Sequence, residues 1–159
     1  MKELAVNTPR GKHFLKIQQD TLKRLCDSYN MKNLEMKQKD ARIDGVLGTK
    51  DNKAVCVYEF KSRSKDIDYY KKNGLFISQY KIKMGTKYSA LFGVPLVFYF
   101  YLYEKDEIYS IIMSDDRGKL IVNLPKPVYK TTQYNCNRED VKQDLVVYLP
   151  VDKFKKLKL

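Results

Sequence analysis

The chain has 159 residues, 43% of them hydrophobic, which is enough for one domain with a real core and argues against disorder. Its formal charge of +12 points to a polyanionic partner, nucleic acid first and an anionic membrane surface second. Three widely spaced cysteines (Cys26, Cys56, Cys136) form no CxxC pair, which argues against a zinc site and for free thiols in a reducing, cytoplasmic interior.

Thr8-Pro9 reads as a helix start, with Thr8 as cap and Pro9 in the first turn. Phe14, Ile17, Thr21, Leu25 and Tyr29 recur at helical spacing, so a first helix is expected over about 9–29. Residues 30–40 are polar and Lys-rich and read as a loop. "ARIDGVLG" (41–48) alternates as a strand, "TKDNK" (49–53) is a hairpin turn, and "AVCVYEFK" (54–61) is the return strand. Residues 64–76, with "KNG" inside them, read as a mobile connection. Ser78 is placed to cap a second helix over about 78–92, which Gly93 ends. "VPLVFYFYLY" (94–103) is a buried strand, and with the preceding helix end it is too short to span a bilayer, so no membrane partner is expected. "IYSIIMS" (108–114), "LIVNL" (120–124) and "DLVVYLP" (144–150) read as further strands. The stretch 125–143 reads as irregular, its "NRED" (137–140) as a cap or turn, and 152–159 as a basic tail or short helix. This order predicts a single α/β domain over 1–159, with a mixed central sheet flanked by helices.

The return strand raises a question. After Val55, Cys56, Val57 and Tyr58 come Glu59 and Lys61, which a period of two puts on one face. The hairpin carries Asp44 to the neighbourhood of Glu59. Two close carboxylates repel unless a cation lies between them, and Mg2+ takes one or two carboxylates with water and phosphate oxygens in its other positions. Lys61 is placed to orient water or to stabilise charge on phosphorus. Gly45, without a side chain, leaves room for a phosphate backbone. The plainer alternative is a solvated strand end carrying a surface ion pair.

The spacing Asp-x14-Glu-x-Lys on a hairpin, with "IDG" around Asp44 and "YEFKSR" around Glu59 and Lys61, resembles the PD-(D/E)XK nuclease superfamily, whose fold is called restriction-endonuclease-like. Ile43 stands where the proline of the name would be. The order helix, hairpin, helix and "GVPLVFYFYL" strand resembles that family too, over roughly residues 10–113. The resemblance implies Asp44 and Glu59 as metal ligands, the Phe60 carbonyl as a further ligand, and Lys61 as the catalytic lysine. It implies an Mg2+-dependent DNA endonuclease of the small freestanding kind found in phages and mobile elements, with Mn2+ as a substitute and a metal-activated water as nucleophile. A lone domain of this size would cut both strands as a dimer or a dimer of dimers. An RNA-cutting enzyme of the same fold and a non-catalytic nucleic-acid-binding module are the alternatives.

Other residues are placed by helical geometry. Gln18 falls within the stripe of Phe14, Ile17, Thr21 and Leu25, where it either serves a structural bond or reaches the metal site as a fourth catalytic residue. Gln79, Lys83 and Lys87 share one face of the second helix, opposite Ile82, Met84, Tyr88, Leu91 and Phe92. That face is either solvated or follows a phosphate backbone, as are Arg63 and Lys65 just after the motif. His13, the only histidine, lies off the apolar stripe and reads as a surface residue.

Overall fold

The computed structural model describes residues 9–35, 43–134 and 137–159. Thr8, the first two residues of "ARIDGVLG" and Cys136 lie outside them. In chain order the elements are α1 (Pro9–Ser28), β1 (Met31–Glu35), β2 (Gly45–Thr49), β3 (Ala54–Arg63), α2 (Ile67–Asn73), β4 (Phe76–Ser78), α3 (Gln79–Phe92), β5 (Leu96–Leu102), β6 (Glu107–Ile112), β7 (Val128–Tyr134), β8 (Asn137–Tyr148) and β9 (Lys155–Lys156).

Six of these strands form one sheet in the order β1-β2-β3-β5-β6-β9. The β3–β5 pair is parallel and the others are antiparallel, which makes the sheet mixed, as expected. A second sheet has the order β4-β8-β7. Strands β3 and β5 are central, and both faces of β5 are buried along its whole length. A strand covered on both faces reads as the unbroken apolar run seen in "LVFYFYL".

Two cores follow from the alternation of β3. On one face Leu25 and Cys26 of α1 meet Leu47, Cys56, Tyr58, Phe60, Val97, Tyr99 and Tyr101. On the other, Ile82 of α3 and Ile77 and Val147 of the small sheet meet Val57, Leu96, Phe98 and Phe100. The sheet is therefore sandwiched between α1 and a layer made of α3 and the β4-β8-β7 sheet. Gly85 lets α3 come close: a Cβ there would lie 2.6 Å from a methyl carbon of Leu96. Gly93 ends α3 in the left-handed conformation, with φ of 67°. Ser78 holds the N-cap position but makes no side-chain capping bond.

Several expectations are corrected. The polar segment after α1 contains the edge strand β1, which pairs with β2 from Met31↔Thr49 to Glu35↔Gly45. The connection after β3 contains α2, capped by Asp66, whose carboxylate accepts from the Tyr69 N–H, and anchored by buried Tyr70. "LIVNL" is not a strand, and only an isolated bridge Ser114↔Leu120 forms there. The stretch expected to be irregular, including "NRED", is the β7–β8 hairpin, with β8 running on into "DLVVY". The segment 152–159, expected as a basic tail or short helix, opens in a 3-10 turn (Val151–Lys153) and then adds Lys155–Lys156 to the sheet beside β6. No helix among the described residues is long and apolar enough to cross a membrane.

Candidate functional site

The β2–β3 register decides where the two carboxylates meet. Gly45 pairs with Tyr58, so Asp44, one residue before β2, is level with Glu59. On its other side Glu59 pairs with Phe98 of β5. Glu59 is thus an interior residue of a central strand and is 0% exposed. Asp44 turns back on the motif: its Oδ2 accepts the Phe60 N–H at 2.7 Å.

Two lysines face Glu59. Lys81 Nζ lies 3.0 Å from Oε1 and Lys61 Nζ lies 3.6 Å from Oε2, with side chains 17% and 29% exposed. Neither Glu59 oxygen has a hydrogen bond of acceptable direction. The pairs are close in distance without the alignment that makes a charged hydrogen bond strong. Burial pushes the Glu59 carboxyl up to about 7; Lys61 opposes this, Asp44 adds to it, and Lys81 opposes it again. A buried carboxylate whose oxygens are not fully engaged is costly unless something completes its environment.

The Phe60 peptide is clamped at both ends. Asp44 takes its N–H, and Gln18 Nε2 of α1 donates to its carbonyl at 3.3 Å. The stripe position of Gln18 is therefore explained by a bond to the motif's backbone, across the sheet from Glu59. The Phe60 carbonyl, expected as a metal ligand, keeps one lone pair for another partner.

The other expected residues divide. Arg63 follows Glu59 and Lys61 on the same face of β3, with Lys65 just beyond the strand. Gln79 and Lys83 instead line a concavity with Gly118, Leu124 and Pro127, and Lys87 is exposed two turns along α3. The residue of α3 that reaches the motif is Lys81, about 200° around the helix from Gln79. A signal for it existed: Lys81 shares a stripe with Met84 and Tyr88, the same pattern of a polar residue among apolar ones that singled out Gln18. His13 is exposed. The room at Gly45 is not open to a ligand, since a Cβ there would lie 3.1 Å from the Tyr58 ring, whose hydroxyl donates to Asn33. Cys26 and Cys56 are buried free thiols, and burial pushes Cys56 up to about 11, which leaves it unreactive.

Asp44, Glu59 and the spare lone pair of the Phe60 carbonyl are hard oxygen donors of the kind Mg2+ uses, and the Glu59 oxygens, paired with lysines but without hydrogen bonds, are the feature such an ion would satisfy. Among the described residues no group of three His, Cys, Asp or Glu side chains converges, so any such ion would keep several waters. Comparison with known proteins finds no family model, no curated protein and no solved structure that matches the chain.

Proposed function

We propose that this protein is a metal-dependent nucleic-acid phosphodiesterase, a DNA endonuclease with a restriction-endonuclease-like core. The observation that carries the reading is Glu59: a wholly buried carboxylate without hydrogen bonds, level with Asp44, with Lys61 two residues on along the same face. The element order helix, hairpin, helix and parallel strand supports the same reading. Asp44, Glu59 and the Phe60 carbonyl would hold the ion. Bound there, Mg2+ would lower the pKa of a coordinated water and offset charge on phosphorus. The protein's own part is positional. Asp44 and Gln18 fix the Phe60 peptide, and so hold Glu59 and Lys61 at constant spacing on either side of it. Lys61, partly exposed, presents an ammonium to a phosphoryl oxygen as its charge grows. The positive charge of the chain draws the polyanion in. Cutting both strands of a duplex would call for two such sites, hence a homodimer or a dimer of dimers.

The 3.0 Å Lys81–Glu59 pair favours a second reading, in which two lysines already neutralise Glu59 and the domain binds nucleic acid without cutting it. One panel separates them: supercoiled plasmid, single strands, a four-way junction and RNA, each with Mg2+, Mn2+ or EDTA. Cleavage of DNA that requires the ion and disappears in Lys61→Ala is expected. Cleavage of RNA in preference to DNA would move the substrate to ribose. Binding without cleavage in every arm, together with no rise in melting temperature when Mg2+ is added, would leave the binding module.

A further inference from the structure

Beyond Lys61, the charged face of β3 runs into a pocket of about 340 Å3, in the lower range of ligand sites. Arg63, Lys65 and Lys130 line it, with Tyr69, Asn73 and Phe76. Its three cations come from three different elements: the end of β3, the segment before α2, and β7 of the second sheet. Among the described residues none of the three forms an ion pair. Arg63 is partly buried, its Nη1 donates only to the Ser62 carbonyl at 3.0 Å, and burial lowers its pKa from the usual arginine value. Lys130 lies 4.7 Å from the Phe76 ring centre and 5.2 Å from that of Tyr148, and Lys65 lies 5.8 Å from that of Tyr69. Asp66, the carboxylate nearest in sequence, is engaged by Lys105 at 3.1 Å and by the α2 cap. Asp144 stands opposite Lys130 in the β7–β8 register but makes no ion pair with it, so three positive charges gathered around the cavity face a single acid, an arrangement that an anion completes.

We propose that this pocket binds the terminal phosphate monoester of a nucleic-acid strand lying along the Glu59–Lys61–Arg63 face. The choice of polymer rests on the nuclease reading; the choice of group rests on the pocket. A monoester carries about −1.5 to −2 at neutral pH, against one charge for an internal diester, and so answers three cations better. The pocket lies at the end of the face, walled by α2 and by Phe76, where a strand following β3 stops. Arg63 is four residues from Glu59, about 13 Å along the strand, so a terminal phosphate held here sets the distance from the chain end to the motif.

The test is fluorescence anisotropy in EDTA, where cleavage cannot intervene, with short oligonucleotides of one sequence bearing a 5′-phosphate, a 3′-phosphate or hydroxyl ends. One phosphorylated form is expected to bind about tenfold or more tightly than the hydroxyl-ended strand, the scale of one charge-assisted bond. Millimolar inorganic phosphate erases that advantage. Arg63→Gln and the exposed Lys65→Gln lose it, whereas Lys23→Gln, on the outer face of α1, keeps it. Equal affinity for all three strands, or an advantage that survives both Arg63→Gln and Lys65→Gln, overturns the proposal. A protein that never cuts yet shows the advantage and its loss overturns the nuclease reading alone.

Discussion

The two faces of β3 reach the same depth with opposite chemistry. Phe60 is 1% exposed and Glu59, its neighbour, is 0% exposed. The even-numbered face, Cys56, Tyr58 and Phe60, packs on α1 largely by apolar contact, which needs no partner of defined direction, and only at its end does Ser62 bury a hydroxyl without a partner. The odd-numbered face begins the same way with Val57 and then becomes Glu59, Lys61 and Arg63. It is buried without being self-sufficient: the carboxylate depends on lysines from two elements and still lacks hydrogen bonds. Burial alone does not tell a core from a site. What tells them apart here is that one face buries a charged group, held by lysines of two elements and still without hydrogen bonds.

That contrast is open to breakage from either side. The largest effect is expected on the even face, where Phe60→Ala removes a fully buried ring and costs about 3–5 kcal/mol of stability in chemical denaturation. On the odd face Lys61→Ala should cost less than that, since Lys81 still faces Glu59, while cleavage falls about a hundredfold or more and binding changes little. Equal losses of binding and cleavage would make Lys61 a phosphate clamp.

The pH dependence of stability follows from Glu59. Folded, it keeps its proton to about pH 7; unfolded, it releases it near 4.5. Between these values the folded state holds more protons, so stability falls as pH rises through the window and levels above it. At 1.36 kcal/mol per pKa unit the loss is about 3 kcal/mol. Melts in EDTA from pH 4 to 8 should show this slope in the wild type and not in Glu59→Gln. A wild-type slope of the opposite sign would mean that the two lysines dominate burial.

Smaller effects sharpen the comparison. Asp44→Asn keeps an oxygen for the Phe60 N–H and removes a negative charge beside Glu59, so the metal-free protein should gain about 1 kcal/mol. The same substitution should abolish both cleavage and the stabilisation by Mg2+, which for the wild type is about 2.7 kcal/mol at a hundredfold excess over Kd. Gln18→Ala removes one bond to the Phe60 carbonyl and should cost about 1 kcal/mol by thermal melt. No loss of stability but a weaker apparent Mg2+ affinity would assign Gln18 to the ion rather than to the backbone.

The sequence by itself determined the features that depend on neighbours along the chain. Alternation in "AVCVYEFK" put Glu59 and Lys61 on one face, the short "TKDNK" turn set the hairpin that brings Asp44 level with Glu59, and the long apolar run of β5 declared a strand covered on both sides. Helical spacing was enough to point Gln18 inward. Tertiary structure decided what depends on partners far away in the chain. Strand β1 is "MKNLE", with little β propensity of its own, and it is a strand because β2 offers it an unpaired edge. The polar β7–β8 hairpin is likewise held by cross-strand pairing and by β4. Helix α2 has seven residues, too few to persist alone, and exists through the Asp66 cap and the burial of Tyr70. Lys81 reaches Glu59 because Gly85 lets α3 settle onto Leu96 of β5, and the rotation of a helix about its axis is set by that packing. The motif is local and was legible, whereas the second lysine and the anion pocket are made by elements that meet only when the chain folds.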